Sequence, residues 1–241
     1  MAHMTRCESM IKAFELGGDF HSRTAIDMYP HIQELIDAGE VLLEWDETKG
    51  KAPAPLVKDK FASERRKAKV LNFSIAYGKT KVGLAKDFGV TVAEAEETID
   101  KWYAARSEVK AWQEQTIAKT RKVGYTSTLL GRRRQLPDIT SKNRGLRGHA
   151  ERAAINTPIQ GGAADIVISA MLKISKSQTL EKLGWKMVMQ IHDELILEGP
   201  EGSSEEALAE VQQCMQQPFH RNLKVDLPVS GGVADSWYDA K

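Results

Sequence analysis

Residues 65–78 read Arg65-Arg66-Lys67-Ala68-Lys69-Val70-Leu71-Asn72-Phe73-Ser74-Ile75-Ala76-Tyr77-Gly78. Within them Arg65, Lys69, Phe73 and Tyr77 stand four residues apart. In a helix of 3.6 residues per turn each such step rotates by roughly 40°, so the four side chains follow one slowly winding stripe, cations first and aromatics after. The pattern predicts a helix from Ser63, its expected N-cap, to about Tyr77, stopped at Gly78. A cationic end can hold a polyphosphate by charge-assisted bonds, and an aromatic end can stack on a flat base, as gripping a nucleoside triphosphate requires. The same spacing also suits an amphipathic helix with Phe73 and Tyr77 in the core and Arg65 and Lys69 in solvent.

Upstream of this stretch, residues 7–16 form an expected helix closed by Gly17-Gly18, and Asp19 is a candidate N-cap for a second helix running through Met28. Residues 44–55 collect turn and loop formers and read as an exposed insertion. Downstream, Thr91-Val92-Ala93-Glu94 has the form of a capping box opening one long amphipathic helix through Trp102, Val109, Trp112 and Ile117, ended by Gly124. A short strand is expected from Tyr125, then a helix around 149–156 broken at Pro158, then another from Gln160. Two short strands, 185–190 and 195–198, flank Ile191-His192-Asp193-Glu194 as a hairpin, followed by a helix from Ser204 and a last strand over 223–233. Helices dominate and the strands gather late, which indicates an α+β fold. The expected organisation is helices over 1–30, an insertion or loop over 31–62, a helical module over 63–148 and a hairpin-bearing module over 149–241.

Composition excludes several classes. With 241 residues, 41% hydrophobic and 28% charged, the chain can bury a sizeable core, unlike collagen, a coiled coil or a disordered chain. No apolar run approaches the roughly 18 residues of a membrane span, and no secretory signal or transit peptide is legible. Cys7 and Cys214 are far apart and match no metal-ligand spacing, so a reducing, intracellular compartment is expected. The net charge of +1 conceals an asymmetry. Lys119, Arg121, Lys122, Arg132, Arg133, Arg134, Lys142, Arg144, Arg147 and Arg152 face only Asp138 and Glu151, a local +8, whereas residues 193–241 sum to −7. A polyanion-facing middle and a separate acidic region fit this distribution, as do ordinary solvated faces.

Two further constellations carry chemistry. Asp193 and Glu194 are adjacent carboxylates at a hairpin tip, a platform for a hard cation such as Mg²⁺, though one pair rarely suffices. Arg152, Asn156 and Gln160 again stand four apart, and their donors suit minor-groove acceptors that recur in every base pair. A bland polar helix face explains that row equally well.

Together the stretches resemble a known family. Residues 65–78 resemble motif B of family A DNA polymerases, the bacterial DNA polymerase I class; Gln190-Ile191-His192-Asp193-Glu194 is similar to motif C; Glu151-Arg152-Ala153-Ala154-Ile155-Asn156-Thr157-Pro158-Ile159-Gln160-Gly161 resembles the segment between them. The wording at 72–80 and at Leu197-Glu198-Gly199-Pro200 is most similar to the plant and algal organellar branch. The resemblance implies fingers and part of a palm, serving DNA replication and repair in a plastid or mitochondrion. It implies that Arg65 and Lys69 bind the triphosphate of a deoxynucleotide, that Phe73 stacks by its sugar and base, that Tyr77 lies on the template side and that His21 touches the phosphates. Arg152, Asn156, Gln160 and His192 would line the minor groove of primer-template DNA, Asp193 would bind metal, and Glu194 would assist in a two-metal Mg²⁺ site. Met1-Ala2-His3-Met4-Thr5-Arg6 is similar to a segment just after motif A, so the motif A aspartate is absent and upstream polymerase segments are expected in a longer parent chain. The fragment alone is then expected to be inactive; the alternative is a non-catalytic DNA- or nucleotide-binding fragment.

Overall fold

The computed structural model describes residues 1–16, 19–45, 49–220 and 222–240. The expected Gly17-Gly18 helix stop lies outside them. The fold is α+β, and the chain divides into two compact units, Met1–Ser127 with Arg133–Ile159 and Thr128–Arg132 with Gln160–Lys241.

The first unit begins with helices α1 (Ala2–Thr5), α2 (Glu8–Glu15) and α3 (Phe20–Met28). Asp19 caps α3 as expected, its carboxylate accepting from the backbone N–H groups of His21 and Ser22. Helix α4 (Pro30–Asp37) corrects the expected loop over 31–62: Pro30 supplies a preset first helical turn, and Ile32, Leu35 and Ile36 give it an apolar face. That face packs with Ala25, Val41, Val57 and Ala68. Leu42 and Leu56 form a parallel bridge, and α5 (Val57–Lys60) leads into α6 (Ala62–Ala76). Of the expected insertion, residues 46–48 lie outside the described ones; beside them the Trp45 indole N–H donates to the Gly50 carbonyl at 2.7 Å. Ser63 does not cap α6: its hydroxyl is turned to the Glu64 carboxylate, and the N-cap is Phe61.

After α7 (Lys81–Phe88) the Thr91–Glu94 capping box forms as read, opening α8 (Val92–Ala104). The expected single helix is instead two, because α9 (Ser107–Val123) starts after a break at Arg106, where φ is −144°. The break turns the Arg106 side chain inward, against Asp27 at 2.8 Å and over the Trp102 ring at 4.9 Å. Strands β1 (Tyr125–Ser127) and β2 (Arg133–Gln135) pair antiparallel.

Helix α10 (Arg144–Ile174) contains Pro158 in its interior, where a break was expected. It also runs through the expected module boundary at 148/149; the units part between 159 and 160. A proline lacks the N–H that would bond the carbonyl four residues earlier, here Ala154. The Thr126 hydroxyl donates to that carbonyl at 3.1 Å, so the buried acceptor is satisfied from β1 and the helix continues.

In the second unit the later half of α10 is followed by α11 (Gln178–Leu183), the antiparallel hairpin of β3 (Lys186–Ile191) and β4 (Glu194–Glu198), and α12 (Ser204–Gln216). Ile174, Leu180, Ala207, Val211 and Cys214 form its core, with Trp185, Leu195 and Leu197 against them. The expected strand over 223–233 is not formed among the described residues. Leu223, Val225, Leu227 and Val229 do alternate half-buried with exposed neighbours, but without ladder hydrogen bonds the periodicity alone makes no strand. No helix of the described residues is long and apolar enough to cross a membrane.

Candidate functional site

Helix α6 and its C-cap Tyr77 bring together three members of the expected stripe, Lys69, Phe73 and Tyr77. The Phe73 and Tyr77 rings are stacked, centroids 6.0 Å apart and 8° from parallel, and Lys69 Nζ lies 6.0 Å from the Phe73 centroid. The His21 ring, on α3, flanks Phe73 at 5.8 Å. Phe73 is 44% exposed and Tyr77 38%, which decides against the core reading of this face. Full burial of a phenylalanine is worth about 1.5–3 kcal/mol, and these rings forgo much of it.

Lys69, Phe73 and Tyr77 line one side of an open groove of about 910 Å³, joined by Arg66, Lys79 and Arg152. Among its lining groups four are cationic and Asp87, paired to Lys79, is the acid. Between Tyr77 and Lys79 of this lining stands Gly78, whose φ of +65° suits glycine. A Cβ there would stand 2.7 Å from Ile155 Cδ1 and 3.1 Å from Arg152 Cγ on α10, so the glycine permits the end of α6 to approach that helix.

Arg65 is turned elsewhere, making a two-pronged pair with Asp19 through its Nε and, at 3.1 Å, its Nη2. Burial alone would raise the Asp19 pKa, but the Arg65 and Ser22 hydrogen bonds outweigh it and hold the carboxyl down at about 2. Burial lowers the His21 pKa, and the Arg65 and Lys69 charges lower it further against the pull of Asp19.

Arg152 and Asn156 stand on α10 within the first unit, and Gln160, exposed, begins the helix's share of the second. Among the described residues the buried Asn156 Oδ1 atom finds no hydrogen-bond partner, which leaves an acceptor open to a donor. The basic segment is partly neutralised: Arg121 and Arg147 both approach Glu151, and Arg132 pairs with the buried Asp165. Arg133 packs over the Tyr125 ring at 4.5 Å, and Arg134 donates to the Thr157 hydroxyl at 3.1 Å.

His192, Asp193 and Glu194 lie in the second unit, all exposed. The β3–β4 register pairs Ile191 with Glu194, leaving His192-Asp193 as a two-residue turn. His192 carries a positive φ of 54°, which few residues other than glycine adopt readily. The Gln190 amide donates to the His192 carbonyl and braces the turn. Among the described residues no three His, Cys, Asp or Glu side chains gather as a metal-ligand set. Mg²⁺ takes six oxygens in near-octahedral geometry, so Asp193 and Glu194 do not by themselves make its site.

Sequence reasoning missed three contributors. Asp19 was read only as a cap, and nothing local marks it as the partner of Arg65, 46 residues away. Asn72 and Trp102 form a buried bond from helix to helix at 2.8 Å. Neither shows in periodicity, because both are polar contacts from the inner faces of their helices.

Residues 51–239 match the model of the family described as DNA polymerase family A. The chain belongs to this family. Over its full length this family A chain is 56% identical to DNA polymerase I A, chloroplastic/mitochondrial, of Arabidopsis thaliana and 38% identical to DNA polymerase I of Geobacillus stearothermophilus. It covers 23% and 24% of those two proteins, so it spans about a quarter of the curated relatives it matches. Among solved structures, the POL domain of Pol1 from M. smegmatis, in complex with DNA primer-template and dNTP, matches 99% of this chain with a TM-score of 0.81 and 34% identity. This chain covers 38% of that one.

Proposed function

We propose that this family A chain is the nucleotide-gripping and duplex-contacting part, fingers and the C-terminal part of a palm, of a template-directed DNA polymerase. The observation that carries the reading is the solvent-facing row Lys69, Phe73 and Tyr77 beside His21, cation and stacked rings on one helix. Lys69 and Arg65 bind the triphosphate of an incoming deoxynucleotide, and His21 donates to its phosphates. Phe73 stacks at the sugar and base, and Tyr77 borders the template side. Arg65 reaches the phosphates by exchanging or sharing its Asp19 partner, which keeps the guanidinium oriented before binding. Arg152, Asn156, Gln160 and His192 contact the primer-template minor groove. Asp193 is a metal ligand and Glu194 an auxiliary one; donors from outside the described residues must complete a two-metal Mg²⁺ site. The plant relatives support work in a plastid or mitochondrion, in DNA replication and repair.

Titration of a fluorescent deoxynucleoside triphosphate with the purified chain tests the grip. Hydrogen bonds to charged groups are worth about 1.5–3 kcal/mol, so Lys69→Ala is expected to weaken binding by about tenfold or more. Unchanged affinity would overturn the assignment. A second reading, binding without catalysis by the chain alone, is favoured by the single carboxylate pair at 193–194. Primer binding without incorporation of deoxynucleotides is its expected signature. Robust extension with Mg²⁺, abolished by Asp193→Asn, would exclude it.

A further inference from the structure

Behind the exposed stripe of α6 lies a buried polar chain whose hydrogens follow from donor chemistry and distance. Asn72 is 7% exposed and Trp102 3%. An indole N–H can only donate, and Trp102 Nε1 lies 2.8 Å from Asn72 Oδ1, which fixes the orientation of the carboxamide. Its Nδ2 therefore faces the other way, 3.0 Å from Thr24 Oγ1 and 3.1 Å from His21 Nδ1. Thr24 has one hydroxyl hydrogen and two acceptors within reach, the Phe20 carbonyl at 3.0 Å and Asn72 Oδ1 at 3.4 Å; the shorter contact takes it, so toward the Asn72 Nδ2 the hydroxyl accepts. One N–H of Asn72 then goes to Thr24 and the other to His21. Only an unprotonated ring nitrogen can accept it.

We propose that Trp102 and Asn72 act as a relay that fixes His21 as the neutral imidazole with its hydrogen on Nε2, presenting one uncharged donor to a nucleotide phosphate. The donor's destination rests on the function proposed above; the relay itself does not. Protonation of Nδ1 would set its N–H against the Asn72 N–H. The amide cannot turn to relieve this without setting its N–H groups against the Trp102 N–H. A buried group left unpaired in this way is costly, so the network resists the imidazolium. The charged groups facing the ring divide: Asp19, on its own helix, favours protonation, and Arg65 and Lys69 on α6 oppose it, with burial opposing it most. The consequence is that the ring adds a directional donor beside Arg65 and Lys69 without adding a third full charge. Asn72 and Trp102 are thus positioning residues, acting through His21.

The test is a long-range ¹H–¹⁵N correlation spectrum of the chain labelled at its six histidines, with His21 identified by its loss in His21→Phe. The expected result at neutral pH is a pyridine-type Nδ1 and a protonated Nε2, with no variant needed. Asn72→Asp offers only acceptors and is expected to move the hydrogen to Nδ1 and raise the His21 pKa. Trp102→Phe frees the amide and is expected to give a mixture of tautomers. A wild-type His21 that is Nδ1-protonated at pH 7, or a tautomer unmoved in a folded Asn72→Asp chain, would overturn the relay. Nucleotide titration separates the other half: His21→Phe should weaken binding several-fold and His21→Gln, which keeps a neutral N–H, less. Equal affinity in all three, with the Nε2–H tautomer present, removes the phosphate as the donor's target and leaves the relay supported.

Discussion

Replacing Thr126 by valine keeps the side-chain shape and removes one hydroxyl, and that hydroxyl is the donor the Ala154 carbonyl receives in place of the missing Pro158 N–H. Thr126 is 5% exposed and Ala154 fully buried, so water cannot substitute. A buried acceptor left unpaired costs about 1–3 kcal/mol. Thr126→Val is therefore expected to destabilise the chain by about that amount, read as a lower midpoint in urea unfolding with little change in slope. The decisive comparison is made in a Pro158→Ala background. Alanine restores a backbone N–H to Ala154, so the same Thr126→Val change should now cost about 1 kcal/mol or less. Contacting residues show coupling of about 0.5–3 kcal/mol, and this cycle should give about 1–2. Equal costs in the two backgrounds would refute the account of why α10 runs unbroken. The matter bears on the proposed function because α10 is the helix that carries Arg152, Asn156 and Gln160.

Three other outcomes follow from named contacts. The Asp19 pKa is held at about 2 against an ordinary 3.8, so its contribution is present above pH 4 and lost as pH falls toward 2. That drop corresponds to about 2.4 kcal/mol, reduced by screening of this half-open pair to about 1; Asp19→Asn, which retains a cap, should flatten acid denaturation in that window. Gly78→Ala should cost about 1–2 kcal/mol for a left-handed alanine, plus whatever Ile155 must shift, measured by thermal melting. Arg133→Ala with Arg134→Ala should reduce the salt dependence of primer-template binding by about two phosphate contacts' worth of slope in a log–log plot; an unaltered slope would place those arginines off the DNA.

Legibility followed the range of the interactions. The α6 stripe, the Thr91 capping box, the Asp19 cap and the β3–β4 hairpin were readable because each is closed by residues within a few positions of one another. The errors share the opposite property. The helix expected to run from Thr91 to Gly124 is divided at Arg106 because that side chain meets Asp27, 79 residues away, and the aromatic rings of α3 and α8. Helix α4 was hidden by its setting among turn formers, though Ile32, Leu35 and Ile36 carried the signal. The strand expected over 223–233 had the right alternation, but a ladder needs a second chain segment, which periodicity cannot supply.

The sequence by itself determined the family, from the wording of three separate stretches, and the cation–aromatic stripe and the carboxylate turn, from residue type and spacing within one element each. Only the tertiary structure decided that Phe73 and Tyr77 face solvent, that Arg65 is held by Asp19, that α10 continues past Pro158 and that Asn72 meets His21 Nδ1. Each of these is a hydrogen bond or an exposure set by a partner dozens of residues distant, and such a partner is chosen by packing, which leaves no periodic mark in the chain.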